Sequence, residues 1–135
     1  MWPERLTIWL VLAAALASAG AAARYFDVHL GDPRRAEAEA LTGGNIENGR
    51  RAIDVYGCGT CHRIRGVRTA RGLVGPPLDQ FADRIYVAGT LPNTTDNLVA
   101  WITHPTRISP RTAMPETGIS DAEARDVAAF LYSRH

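Results

Sequence analysis

The sequence predicts an all-α fold in which three or more short helices and long loops follow an apolar N-terminal helix. Three segments after residue 45 carry helix-start signals, and no segment shows the sustained apolar–polar alternation of a strand. The loops between these segments are rich in glycine and proline. Three short helices bury little apolar area, so we expect a further large apolar group to complete the core.

Composition sets outer limits on what the chain does. Its 135 residues are enough for one domain, and a net charge of +1 gives no support to a nucleic-acid binder. All 15 basic residues are arginine. Four of them, Arg63, Arg65, Arg68 and Arg71, lie in a stretch from Val55 to Leu78 that contains no acid. This basic run is either a solvated loop or a docking surface for an acidic partner.

Residues 6–23 are uncharged and lie between Arg5 and Arg24. A helix of this length spans about 27 Å, close to the ~30 Å hydrocarbon core of a bilayer. The tripeptide Ala17-Ser18-Ala19 also resembles a signal-peptidase site. Residues 1–24 are therefore a membrane anchor or a cleaved signal segment, with the anchor slightly favoured, and both interpretations export the rest of the chain.

The next segment, residues 25–44, reads as a polar tether. Asp32-Pro33 is a typical start for a short helix, "RRAEAEAL", which Gly43-Gly44 would end. The face of this helix is too polar to build a core. The folded domain is therefore predicted to occupy residues 45–135.

Two helices of that domain have clear ends. The first is predicted over residues 46–56, with Asn45 as its N-cap. The second covers "DNLVAWITH", with Thr94 or Thr95 as its cap and Pro105 as its stop.

The third helix begins at Ser120, which forms a capping box with Glu123. Its segment "AEARDVAAFLYS" places Ala124, Val127 and Leu131 on one face.

The two cysteines lie three residues apart, in "CGTCH" at 58–62. A structural zinc site needs four ligands, usually in two pairs, and the chain has one pair. A thioredoxin-like redox pair belongs in a βαβ context, whereas the flanking pattern here is helical. A disulfide over this spacing would constrain almost nothing and would leave His62 without a role.

The pattern C-x-x-C-H is the attachment signal for c-type haem. Residues three apart on one helical turn share a face, so Cys58 and Cys61 can each add to one vinyl group of the macrocycle. His62 then lies next to the ring as an iron ligand. One covalent haem would also supply the missing apolar core.

From these residues the chain resembles a class I cytochrome c over residues 45–134. "GRRAIDVYGCGTCH" resembles the first helix and haem motif of that family, and "GPPL" at 75–78 resembles the following loop. "NLVAWITHP", "PRTAMP" and "ARDVAAFLY" resemble its middle helix, its loop with the second iron ligand and its closing helix. The resemblance implies the cytochrome c fold, wrapped around one haem.

Met114 is the predicted sixth iron ligand. It is the sole methionine besides Met1, and it lies in a proline-bounded loop, "SPRTAMPETG". His104, just before Pro105, is the competing ligand. A thioether favours ferrous iron and raises the reduction potential, and two filled axial positions favour electron transfer over catalysis.

The resemblance also implies roles around the haem. Pro76 should accept a hydrogen bond from the ring of His62. Arg84, Tyr86 and Trp101 match positions that hold the haem propionates, although core packing explains Tyr86 and Trp101 nearly as well. Four further residues match the crossing of the first and last helices, and we interpret them as structural: Gly49, Ile53, Val127 and Phe130.

Three functions are compatible with these features. The first is a one-electron carrier on the periplasmic side of a bacterial membrane, docking on acidic surfaces through the basic run. The second is a fixed haem c subunit of a terminal oxidase or dehydrogenase complex. The third, an enzyme or gas sensor in which Met114 dissociates, has the least support. Partners of the carrier would include a terminal oxidase, a quinol-oxidising complex or a dehydrogenase.

Overall fold

The computed structural model describes residues 3–29 and 32–134, in two compact units divided after Pro33. The first unit holds helix α1, Pro3–His29. Within the described residues, Thr7–Tyr25 is the one helical stretch long and apolar enough to cross a membrane, and its side chains are exposed. Residues 1–2, 30–31 and 135 of the predicted segments lie outside the described residues.

The second unit contains the remaining elements in chain order. They are α2 Pro33–Thr42, α3 Ile46–Val55, α4 Cys58–Cys61, a 3₁₀ turn Phe81–Asp83, β1 Tyr86–Val87, β2 Leu91–Pro92, α5 Thr95–Thr103, α6 Pro105–Ile108 and α7 Asp121–Tyr132. The two strands have two residues each and pair antiparallel, with Tyr86 opposite Pro92. The all-α prediction is confirmed, with this short ribbon added.

The core of the second unit lies where α3 crosses α7. Ile46 and Ile53 of α3 are almost fully buried, as are Val127 and Phe130 of α7. At Gly49 the two backbones approach so closely that a Cβ atom would lie 2.0 Å from the Asp126 carbonyl oxygen. The predicted crossing is therefore present, and the glycine faces the α7 backbone itself.

The predicted helix starts are confirmed by their caps. The Asn45 side chain accepts from the Asn48 amide, and the Thr94 side chain accepts from the Asn97 amide. Ser120 and Glu123 form the complete capping box. These caps satisfy first-turn amides that have no partner within the helix.

The predicted tether at residues 25–44 needs a correction in its second half, because helix α2 belongs to the second unit and contacts α3 and α7 there. Ala38 and Thr42 are buried, and the Thr42 hydroxyl donates to the Ala38 carbonyl within the helix at 2.7 Å. The Glu39 carboxylate accepts from the Ile46 amide at 2.9 Å. The compact unit consequently begins at Arg34 and not near Asn45. Ala38 is small and the Thr42 hydroxyl is bonded within the helix, so both can be buried although the sequence of α2 is mostly polar.

Candidate cofactor site

A cavity of about 610 Å³ lies inside the second unit and is mainly apolar. Its walls include Ile53 from α3, Leu98 and Ile102 from α5, and Val127 and Leu131 from α7. Pockets of ~300–1,000 Å³ typically bury a ligand of small-molecule size. The helices therefore enclose room for a large apolar group, as the thin predicted core requires.

Cys58 and Cys61 border this cavity from the two ends of α4, a single helical turn. Gly57 begins that turn with a φ of 66°, in the left-handed region that favours glycine. Both thiols are half-buried, and no disulfide joins them. Burial is the main cause that raises the pKa of the Cys58 thiol, with smaller contributions from Asp54 and Cys61.

The ring of His62 is held by the loop that follows the motif. Its Nδ1 atom lies 2.7 Å from the Pro76 carbonyl oxygen. Since a carbonyl only accepts, Nδ1 carries the proton, which leaves the lone pair on Nε2 free for a metal. A Cβ atom on Gly75 would lie 2.3 Å from His62 Cε1, so a glycine is required for this close contact.

Arg84 braces the same loop. Its guanidinium donates to the Pro77 carbonyl and, at 3.2 Å, to the Asp79 carbonyl, and it stacks over the Phe81 ring at 5.0 Å. Arg84 also lines the cavity, where the family resemblance assigns it to a propionate. Its contacts therefore link the turn that orients His62 to the wall of the cavity.

Asn93 was missed by the sequence analysis. Its amide group donates to the carbonyls of Phe81 and Arg84, and its oxygen accepts from the Tyr132 hydroxyl at 2.8 Å. These bonds hold the segment that carries Arg84 and Tyr86 against α7. The signal was an asparagine after Pro92 in a turn, which is too common a pattern to indicate a role.

Met114 reaches the cavity from the loop between α6 and α7 and is half-buried. Its amide donates to the Thr112 hydroxyl at 3.1 Å, which turns the loop locally. The competing ligand His104 does not line the cavity. It is exposed, and its Nδ1 lies 3.4 Å from Glu116 Oε2. Hydrogen bonds from Thr106, and a weaker interaction with His104, hold the pKa of Glu116 below its usual value.

All eight predicted site residues line this one cavity. They are Cys58, Cys61, His62, Pro76, Arg84, Tyr86, Trp101 and Met114. Tyr86 is more than half exposed, and Trp101 is half-buried against the core. Within residues 3–29 and 32–134, no group of three His, Cys, Asp or Glu side chains is arranged to hold a metal ion directly. The site thus brings candidate ligands from separate segments to one apolar cavity, and not a ready-made metal cage.

A family model of cytochrome c matches residues 46–134, which is most of the second unit. The chain belongs to the cytochrome c family. It is a class I c-type cytochrome, as the sequence resemblance indicated, and membership makes it a haem-based electron-transfer protein.

Among curated proteins, this cytochrome is similar to cytochrome c oxidase subunit 2 from Alkalihalophilus pseudofirmus, with 32% identity over 99 residues. The similar region covers 73% of this chain and 28% of that subunit. The cytochrome thus spans about a quarter of the length of the relative it matches. No solved structure matches the chain.

The residues present fit the haem c that the family implies. The cavity is apolar and large, two thiols border it three residues apart, and a histidine beside them has its second nitrogen free. Gly75 leaves just enough space for the imidazole. Cys58, Cys61 and His62 come from one helical turn and its C-cap, and Met114 comes from a separate loop.

Proposed function

We propose that this cytochrome is a one-electron carrier with a single haem c attached through Cys58 and Cys61 and ligated by His62 and Met114. It passes electrons between redox complexes on the periplasmic side of the membrane, held there by residues 6–23. The observation that carries the proposal is the convergence of both thiols, the oriented His62 and Met114 on one apolar cavity.

When bound, the haem supplies a one-electron iron couple. The protein's part is to bind and orient it and to limit the access of water. The Pro76 carbonyl fixes the His62 tautomer and increases the basicity of Nε2. The apolar side chains of Leu98, Ile102 and Leu131 line the cavity and would limit the access of water to a bound haem.

A visible spectrum with an intact mass tests this assignment. We expect a mass increase of one haem that survives denaturation, and the weak red band of methionine ligation in the oxidised form. Met114→Ala should abolish the red band, whereas His104→Ala should keep it, because His104 lies off the cavity. A red band that persists in Met114→Ala would overturn the ligand assignment.

The positive charge that the basic run presents to solvent is smaller than its sequence suggests. Arg63 lies 3.8 Å from the Asp79 carboxylate, so its charge is partly neutralised. Asp54, the residue just before the acid-free stretch, accepts from the Thr69 hydroxyl, which brings a second carboxylate next to the basic run. The exposed side chains of Arg65, Arg68 and Arg71 remain as the docking surface for an acidic partner.

Charge reversal tests this docking surface. Arg68→Glu should slow electron transfer to an acidic partner at low salt and weaken the dependence of the rate on ionic strength. Arg51→Glu is a matched control, because it makes the same charge change on an exposed residue of α3. Equal rates for both variants across the salt range would remove the docking claim.

A second candidate function is a fixed subunit of a terminal oxidase or dehydrogenase. The similarity to an oxidase subunit 2 favours it, since there the matching region is part of a larger chain. Mild detergent extraction distinguishes the two. Co-purification with a catalytic subunit supports the fixed subunit, and recovery of this cytochrome alone supports the carrier.

A further inference from the structure

The loop that carries Met114 has little to hold it in place. Residues 109–118 form no helix or strand. Within the described residues, its internal bonds are local: the Thr112 amide donates to Ser109, and the Met114 amide donates to the Thr112 hydroxyl. Ile119, at the end of the loop, is the next buried anchor.

The Glu116 side chain ties this loop to α6 and to the residue before it. Glu116 Oε1 accepts from the Thr106 amide at 3.2 Å and from the Thr106 hydroxyl, while Oε2 lies 3.4 Å from His104 Nδ1. The carboxylate therefore uses both oxygens, one on Thr106 of α6 and the other beside His104, which joins α5 to α6.

Residues 103–106, which carry the partners of Glu116, are fixed to the core. Thr103 and Pro105 are buried, and the His104 amide donates to the Ala100 carbonyl at 2.9 Å to close α5. The Thr103 hydroxyl also bonds within α5, to the Val99 carbonyl. Thr106 is thus attached to the core and cannot shift freely with the loop.

The geometry points to Glu116 as a positioning residue that holds Met114 at the iron, an inference that rests on the proposed ligand role of Met114. Only Pro115 separates the two residues. Their Cα atoms are therefore at most about 7.6 Å apart, and the proline ring restricts the backbone between them. Fixing Glu116 on Thr106 limits how far Met114 can withdraw from the cavity.

Carbon monoxide is a suitable probe, because it binds reduced iron only after the Met114 thioether has left. The exchange replaces one neutral ligand by another and needs no electron or proton. The rate of carbon monoxide binding by the reduced holoprotein therefore reports how often the loop withdraws. We expect Glu116→Ala to raise this rate by roughly threefold to tenfold, the size expected for losing a few surface hydrogen bonds.

Further variants separate positioning from a general loss of stability. Glu116→Gln keeps the size of the side chain and one acceptor oxygen, so its effect should be smaller. Thr106→Val removes the hydroxyl bond but keeps the amide bond, so it should raise the rate less than Glu116→Ala does. The double variant should exceed Glu116→Ala only slightly, because both changes act on the same contact. Glu37→Ala and Arg111→Ala, each at an exposed side chain, are controls and should match the unmodified protein.

Two results would overturn the inference. One is a carbon monoxide rate in Glu116→Ala equal to that of the Glu37→Ala control. The other is full additivity of the Glu116 and Thr106 changes. For a variant with low yield, amide hydrogen exchange at Thr106 in Glu116→Ala gives the same comparison, with faster exchange expected and unchanged exchange counting against the contact.

The Met114→Ala variant keeps this test apart from the proposed function. If it leaves the red band and the carbon monoxide rate unchanged, Met114 is not the ligand and the proposed function fails. If Met114→Ala abolishes the red band while Glu116→Ala behaves like its controls, the ligand assignment stands and the positioning role alone is wrong.

Discussion

His62 illustrates how single residues shape the site. One ring nitrogen is bound to the Pro76 carbonyl, and the ring lies against the backbone of Gly75 with no room for a side chain there. Arg84 holds the next carbonyls of the same turn. The orientation of the His62 ring thus depends on the missing side chain at Gly75 as much as on the residues that are present.

Gly75→Ala should therefore weaken the haem site. The added Cβ would lie 2.3 Å from His62 Cε1 and 2.6 Å from Nδ1, so either the ring or the turn must move. We expect a lower yield of holoprotein and a loss of about 1–3 kcal/mol in unfolding free energy. Leu73→Ala, at a side chain that is 85% exposed, is the control. Equal thermal midpoints for the two variants would refute this steric account.

We expect the buried hydroxyl of Tyr132 to make the protein less stable at high pH. Burial raises the pKa of its hydroxyl from 10.0 to about 12. In the unfolded chain the group ionises near pH 10, whereas in the folded chain it stays neutral, so stability is complete below pH 10 and falls between pH 10 and 12.

Urea unfolding across that range measures the effect of Tyr132. Tyr132→Phe should start less stable at neutral pH, because it loses the bond to Asn93, and should then lose less stability as the pH rises. Parallel pH curves for the two proteins would show that this tyrosine does not cause the loss.

At the scale of elements, the contact between α3 and α7 organises the second unit. The helices touch at backbone distance beside Gly49, and the same pair supplies Ile53, Val127 and Leu131 to the cavity wall. Tyr56 extends the contact, since its hydroxyl donates to Glu123 in the capping box of α7. The crossing therefore shapes the cavity as well as the core.

Gly49→Ala tests the closeness of this crossing. Its Cβ would lie 2.0 Å from the Asp126 oxygen, which α7 cannot accommodate without moving. We expect the free energy of unfolding to fall by about 1–3 kcal/mol. Each kcal/mol lowers the thermal midpoint by roughly 4–8 °C in a domain of this size. Arg51→Ala, on the exposed side of the same helix, should change the midpoint little. A midpoint for Gly49→Ala within a degree of that control would mean that the helices are further apart.

At the scale of the whole molecule, α2 changes where the haem domain begins. Besides Ala38 and Thr42, it contributes an ion pair between Arg35 and Glu47 at 2.9 Å. Arg125 of α7 donates to the Thr42 carbonyl at 3.4 Å. The compact unit therefore starts at Arg34, and less of the chain is left as a tether after the apolar segment.

Ala38→Asp should destabilise the domain through α2. A carboxylate at this buried position has no partner, and we expect a loss of about 1–3 kcal/mol. Ala40→Asp is the matched control, because the same change falls on the exposed side of the same helix. Urea unfolding measures both, and equal midpoints would show that α2 is not part of the folded unit.

The sequence by itself determined the family and the helix starts, and it predicted which residues form the site. Local signals were enough for these, since a cap needs one side chain near its own amides and C-x-x-C-H lies on a single turn. The convergence of His62, Pro76 and Met114 was expected from the resemblance, and the structure places all three on one cavity.

Only the tertiary structure decided the burial of α2, the contact of Gly75 with His62 and the link from Glu116 to Thr106. Each joins residues whose local pattern is ordinary: an alanine in a polar helix, a glycine before a proline and a glutamate in a loop. Their roles depend on the residues that they contact in other segments. The periodicity of one segment gives no information about which residues of another segment will pack against it.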